Sequence, residues 1–478
     1  PESAQCVIGD DYGVFVSLSG DDTLGDGTEA KPLATLTKAL SLTGPGKLNR
    51  IYLCATANGA ATSYAEPDTL VIPDRVSVYG GFTCVGGAWS YDTTVKSWLK
   101  PASAVGALVS GALNGVTLQD VRVDALNAPE DGTGASSFGM IVKGSQGVVL
   151  TRVEVHAGKG GSGAAGISGT GGENADAPTP AQNGADFRCS AGLPQLGGVA
   201  STLSACGTSG GNGGIGYLAV AGGAGSLGTP NDHLAVDGQG VGGPGAVMSG
   251  NSYAGSYGTP GSGGVDGVKG RIAGSGSFTA TGFTVGSGGN GSDGFPGQGG
   301  GGGGASMGSG ANATPGTCFG ASGGAGGMGG CGGGGGVGGI GGGASVGLLS
   351  WSSTITVDGS ILVAGPAGAG GNGGSAHPGG LGKAGGQGGA GDPTAKIGDA
   401  GIGGKGGAGG NGGNGAGGAG GPSVALVYSG TKPIEVNAPV FAHAATAAPG
   451  GIGGEFGSGS DLGSNGPAGT LEDEFKQG

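Results

Sequence analysis

The stretch Gly320–Gly343, GASGGAGGMGGCGGGGGVGGIGGG, places glycine at every third position in two registers at once. One register runs Gly320, Gly323, Gly326 and onward to Gly341; the second runs Gly324, Gly327, Gly330 and onward to Gly342. The third carries Ser322, Ala325, Met328, Cys331, Gly334, Val337 and Ile340. A helix with three residues per turn, the extended polyproline II geometry, makes of this a rod with two bare faces and one apolar ridge. Such a strand has no internal hydrogen bonds, so its amides and carbonyls must find water or neighbouring strands. Glycine lets backbones approach closely enough for neighbours to serve. The period therefore predicts a bundle of polyglycine II helices, with Met328, Val337 and Ile340 as an assembly ridge.

Glycine makes up 132 of 478 residues, with a net charge of −13 and 11 % charged residues. That is roughly four times the usual share of glycine. A disordered linker is the first alternative, but the charge is thinly spread for one. Collagen is the second; it needs an unbroken glycine period with abundant proline, whereas proline is only 23 here and apolar segments interrupt the runs. The period recurs at Gly255–Gly270, Gly288–Gly303, Gly379–Gly391 and Gly403–Gly421. Shorter runs begin at Gly160, Gly207 and Gly451. The acidic balance argues against nucleic acid or anionic lipid as a partner. No apolar run is long enough for a membrane span.

Between the glycine runs lie apolar segments that align with one another. Leu108-Val109 leads to Val116-Thr117-Leu118 and Val121-Arg122-Val123; Ile141-Val142 leads to Val148-Val149-Leu150 and Val153-Glu154-Val155. The same triplet recurs from Leu348 to Val363 and from Leu426 to Ala442. Three short alternating strands per unit are one coil of a parallel β-helix. The fold class is all-β, a right-handed parallel β-helix with glycine-rich insertions leaving one corner. The expected divisions are 1–157, N-terminal cap and first coils; 158–344, glycine-rich; 345–364, a coil; 365–422, glycine-rich; 423–446, a coil; and 447–478, a glycine-rich C-terminal segment. Tyr217–Val220 and Phe278–Val285, inside the long insertion, read as further coils or as returning strands.

Residues 10–160 resemble the entry module of pectin-lyase-like β-helices: Val14-Phe15-Val16-Ser17, Ser19-Gly20-Asp21-Asp22, Lys31-Pro32, a helix-like Leu33–Leu42, Val76–Phe82 and Trp89. The resemblance implies that the short helix caps one end of the solenoid. The combination with glycine-rich segments is similar to uncharacterised exported surface proteins of myxobacteria. It implies a fold and export rather than a reaction. The chain opens at Pro1, which suits a processed, exported form or a trimmed one.

Enzymes of that family use clustered acids, often calcium, and a basic residue projecting from one strand stack. The outward stack expected here is Arg122, Glu154, Leu362, Phe441 on the third strand and Thr117, Val149, Thr356, Glu435 on the second. Neither is a catalytic cluster, so no catalytic or cofactor residue is assigned. His156, His233, His377 and His443 stand alone in sequence. Asp21, Asp22 and Asp26 offer hard oxygen ligands for calcium, or simply an Asp-rich turn. Of seven cysteines, Cys189 with Cys206 and Cys318 with Cys331 bracket short loops and read as local staples. Cys6, Cys54 and Cys84 hold one further pair, and an oxidising compartment follows. The expected function is a secreted, non-catalytic structural protein, on a cell surface or self-assembling into an extracellular fibre. The alternatives are an adhesin or a glycan- or ice-binding module, then a polysaccharide-acting enzyme. An apolar ridge favours self-association; polar Asn411 and Asn414 beside Lys405 favour binding.

Overall fold

Alternation at period two points every second residue inward, and three strands per turn let those residues meet in one core. The computed structural model describes residues 8–44, 47–56, 63–85, 88–190, 192–230, 239–247, 253–309, 317–457 and 461–478. Its strands stack in parallel into three sheets, called A, B and C below. Successive turns run through sheet C at Val105–Ser110, Ser137–Lys143, Ser345–Trp351 and Ser423–Ser429. They continue into sheet A at Val116–Gln119, Val148–Thr151, Ile355–Asp358 and Ile434–Val436. Sheet B closes them at Val121–Asp124, Glu154–His156, Ile361–Val363 and Val440–Ala442. The protein is a parallel β-helix. Met140, Leu348 and Leu426 from sheet C meet Val148, Leu150 and Val357 from sheet A and Val123, Val155 and Leu362 from sheet B in one buried core. Each such side chain contributes about 1.5–3 kcal/mol.

The corner between sheets A and B is a tight turn whose residue adopts a left-handed φ: Asp120 (51°), Arg152 (51°), Gly359 (54°) and Asn437 (49°). Asp, Asn and Gly tolerate that region; an arginine there needs a local reason. The reason is Asp120, fully buried, whose carboxylate accepts from Arg152 Nε at 2.7 Å and Nη2 at 2.9 Å. The Tyr91 hydroxyl donates to the same carboxylate. Burial and that bond push the Tyr91 phenol up to about 12.

At the first turn, helix Leu36–Leu42 packs Leu36, Ala39 and Leu40 on the core. Its entry is fixed by two carboxylates. Glu66 accepts from Leu36 N at 2.8 Å and Thr37 N at 2.9 Å, and Asp22 from Ala34 N at 2.8 Å. Sheet C is apolar on its outer face too. There Phe138, Ile141, Leu349 and Val427 are covered by the hairpin Ser277–Thr279 with Gly282–Thr284, through Phe278. Residues 278–285 are therefore a returning hairpin, and Tyr217–Val220 is a turn rather than a coil.

All three long insertions, 157–344, 364–422 and 443–470, lie between a sheet B strand and the next sheet C strand. They leave one corner side by side. Their extended segments bond to each other in steps of three residues. Gly368, Gly371 and Gly374 donate to Gly343, Ile340 and Val337; Gly336, Gly339 and Gly342 donate to Gly413, Ala416 and Ala419. Segment 320–343 is ringed by six neighbours. Its bonds run to Ala164 (2.9 Å from Ile340 N), Gly371, Ala416, Gly288, Gly211 and Gly198. Nothing larger than hydrogen fits on the facing registers: a Cβ on Gly329, Gly326 or Gly332 would overlap the carbonyl of Gly297, Gly300 or Gly294. At the bundle surface, side chains stand in where a neighbouring backbone is missing. Asn174 Oδ1 accepts from Leu381 N at 2.7 Å, Asn183 Oδ1 from Gln387 N at 2.9 Å, and Asn372 Oδ1 from Ile452 N at 2.9 Å.

Three expectations change. The C-terminal segment 447–478 is not glycine-rich to its end, because Leu471–Lys476 adds a sixth strand to sheet C. The disulfides are Cys54–Cys84, Cys189–Cys318 and Cys206–Cys331, not the local pairs Cys189–Cys206 and Cys318–Cys331. The chain doubles back, so both cysteines of the 189–206 stretch face segment 318–331. Met328 is 2 % exposed beneath Leu203 and Cys331, so Met328, Val337 and Ile340 do not form one open ridge. Cys6 and His233 fall outside the described residues.

Candidate functional site

On sheet B the outward row is Trp98, Arg122, Glu154, Ile361, Val440. Leu362 and Phe441, expected outward, point into the core instead. The reason is Ser360. It takes the inward place that Val153 holds one coil earlier, fully buried, accepting from Val153 N at 2.9 Å and donating to Leu150 O at 3.0 Å. On sheet A the row is Thr117, Val149, Thr356, Ile434; Glu435 aligns with inward Val357. At that last turn Lys432 joins Glu435 (2.8 Å) to Glu474 (2.6 Å).

The polar end of the sheet B row is internally paired. Arg122 bonds Asp124 at 2.8 and 2.9 Å, Lys96 bonds Glu154 at 2.7 Å, and Trp98 Nε1 donates to Asp124 at 2.8 Å. Lys100 and Arg122 both lie over the Trp98 ring, at 3.7 and 4.5 Å from its centre. The hydrogen bond to Asp124 holds the Arg122 guanidinium pKa above its ordinary value. Every acid here already has its cation, which suits a packed surface more than proton transfer.

His156 stands beside this group. Its Nε2 is buried without a hydrogen-bond partner, 3.7 Å from Glu154 Oε2. Burial, and then the Arg122 charge, lower its pKa from 6.5. The folded state thus favours neutral imidazole, and the unfolded chain binds a proton more readily. Stability contributed by neutral His156 is present above pH 6.5 and lost as pH falls through the folded pKa. An NMR titration is expected to place the His156 midpoint below 6.5; a midpoint at or above it contradicts this environment.

Asp21, Asp22 and Asp26 do not converge. Asp21 accepts from Thr23 N and Leu24 N at 2.7 and 3.0 Å, Asp26 from Thr28 N and Oγ1 at 3.1 and 2.6 Å, and Asp22 from the helix entry. Those backbone and hydroxyl donors hold Asp21 and Asp26 below the usual carboxylate range. Among the described residues no three His, Cys, Asp or Glu side chains stand close enough to share a metal ion.

The bundle offers a different site. Segment 320–343 leads into the sheet C strand Ser345–Trp351, and its other end lies at the opposite end of the bundle. Five turns meet there. Phe319 N donates to Arg188 O at 2.8 Å, Gly320 N to Tyr217 O at 3.1 Å, Gly308 N to Val220 O at 3.2 Å, and Met307 N to Tyr253 O at 3.1 Å. Ala395 and Ile397, from the fifth turn, pack on Cys318. The Cys189–Cys318 disulfide ties two of them. The same end exposes Leu193 (81 %), Leu196 (71 %) and Val220 (53 %). Sequence reasoning missed this tip, because its turns are scattered over more than two hundred residues and carry no shared motif. Asn414, expected on a polar binding face, is instead 2 % exposed. It accepts from Ala376 N and Phe456 N and donates to Phe456 O and Asp461 O.

Residues 18–130 match a family described as protein of unknown function (DUF1565), so this part of the β-helix is similar to that family. No curated protein and no solved structure matches the chain.

Proposed function

We propose that this is a secreted, non-catalytic protein of pectin-lyase-like β-helix type whose polyglycine II slab carries an adhesive tip, on a cell surface or in an extracellular assembly. The observation that carries the reading is the meeting of five turns around Cys318 and Phe319, with Leu193, Leu196 and Val220 exposed on a disulfide-tied base. Rigid scaffolds that gather loops at one end are how folds present binding residues. Three disulfides fit an oxidising compartment. Fibre formation through flat glycine faces is less favoured, since those faces are spent on one another inside the bundle. Stacking through the last solenoid turn meets the inward charges Glu435 and Glu474.

The test is adhesion of purified protein to glycan arrays and to bacterial and host cell surfaces. The variant Leu193→Asp with Val220→Asp is expected to bind at least about tenfold less, with unchanged melting, since both side chains are already exposed. Equal binding by variant and wild type removes the tip as the site. Long filaments of wild type in electron micrographs, with no adhesion, favour the fibre reading instead.

A further inference from the structure

Among the described residues, the ring of neighbours around segment 320–343 is incomplete along part of its length. The groove between this segment and segment 160–175 is filled at both ends. Near the solenoid, residues 132–135 lie in it, with Gly161 N donating to Ala135 O and Ala164 N to Gly132 O, each at 2.7 Å. Near the tip, Gly198 N donates to Gly323 O at 2.9 Å, and Leu203 then covers Met328 and Ala175. Thr208 Oγ1 donates to Gly329 O at 2.6 Å, and Cys206 is bonded to Cys331. Between these occupants no described residue bonds to the row.

The empty stretch keeps the polar pattern of the filled ones. The amides of Ile167, Thr170 and Glu173 continue the register of Gly161 and Ala164, and they have no partner among the described residues. The carbonyls of Gly332, Gly335 and Gly338 continue the register of Gly323 and Gly329, and they too have none. Apolar exposure changes at the same boundary. Met328 is 2 % exposed under its cover, whereas Val337 is 41 % and Ile167 is 76 % exposed.

The adjoining row is finished differently. Where residues 211–214 accept from Gly326 N and Gly323 N, at 2.8 and 2.9 Å, further along Asp293 Oδ1 accepts from Gly335 N and Asn290 Oδ1 from Gly338 N, each at 2.8 Å. Side chains therefore close that row in place of the missing backbone. Among the described residues no side chain closes the row beside Ile167.

We propose that this gap is a docking groove for an extended glycine-rich strand in polyproline II geometry, supplied by another chain. Donors and acceptors face each other over about nine residues, roughly 28 Å of such a strand. The occupants at either end define what fits. A Cβ on Gly134 would strike the Gly341 carbonyl, and one on Gly198 would strike the Gln182 carbonyl, so the strand needs glycine at the contacting register. Its remaining side chains would cover Ile167 and Val337. Glycine carries the largest backbone ordering cost of any residue, which the row of donors and acceptors along the groove must offset. The inference is independent of the adhesive tip.

The test adds a peptide of about a dozen residues in Gly-Gly-Ser triplets to the full chain and follows amide exchange by NMR. Exchange at Ile167, Thr170 and Glu173 is expected to slow at least about tenfold at saturation. A peptide of equal length with alanine at every glycine is expected to give no protection. Ile167→Arg and, separately, Val337→Arg are expected to abolish protection, and Leu381→Arg, 60 % exposed on a different segment, to leave it intact. Absence of protection with the glycine peptide overturns the proposal. So does equal protection by the alanine peptide, or protection that survives both groove variants while the protein remains folded.

Discussion

Replacing Gly329 by valine is expected to open the glycine-rich bundle while leaving the β-helix folded. The residue sits where segment 320–343 meets segment 286–304, and a Cβ would overlap the Gly297 carbonyl. Nothing there is a flexible side-chain end that can swing away. The two backbones must separate, and the bonds between them go too: Gly294 N to Gly333 O, Gly297 N to Gly330 O and Gly300 N to Gly327 O, each at 2.8 Å. Overpacking plus about 1 kcal/mol for each lost bond gives about 4 kcal/mol or more. Met328→Ala, one residue away, only removes packing against Leu203, Ala175 and Cys331, at about 2–5 kcal/mol for a fully buried methionine. The two differ in kind. The alanine variant should keep slow amide exchange along the bundle, whereas the valine variant should lose it over several triplets. Matching exchange profiles for the two would contradict close backbone packing.

Reduction of the disulfides is the second large effect. Cys189–Cys318 and Cys206–Cys331 span 129 and 125 residues. Loops of that length are worth about 5 kcal/mol each in the chain-entropy treatment, more than a local staple of a dozen residues. Both fasten the 189–206 stretch to segment 318–331, which has few large side chains to hold its register. Reductant, or Cys206→Ser with Cys331→Ser, is expected to raise exchange at Gly198, Gly213 and Gly323. The solenoid core around Leu150, Val155 and Leu348 should stay protected. Equal loss in both regions would mean that bundle and solenoid unfold as one unit.

The repeated three-strand unit and the glycine triplets were legible in the sequence because each is periodic, and periodicity survives without knowing any long-range contact. What stayed hidden depends on contacts or on single polar residues. Ser360 reads as a turn residue, yet its hydroxyl bonds make it an inward core position, which turns Ile361 outward and Leu362 inward. Glu435 reads as an outward strand residue, yet it lies in register with inward Val357, where Lys432 can neutralise it at the end of the stack. The cysteine pairs were obscured by sequence distance, since closeness along the chain favours Cys318 with Cys331 while the fold brings Cys206 to Cys331. The tip and the groove could not be read at all. Both arise from which segments end early, and segment length is decided by turns that have no strong local signature.

Hydrogen bonding in steps of three residues also sets how such a protein can vary through descent. A one- or two-residue insertion in segment 401–419 would rotate every later glycine away from its neighbour and place side chains against carbonyls. A three-residue insertion restores the phase after one turn and costs only a local bulge. Genes for this architecture should therefore tolerate length changes of nine nucleotides, and paired segments should lengthen together. Because all insertions leave one corner, such changes leave the stacking of the coils untouched.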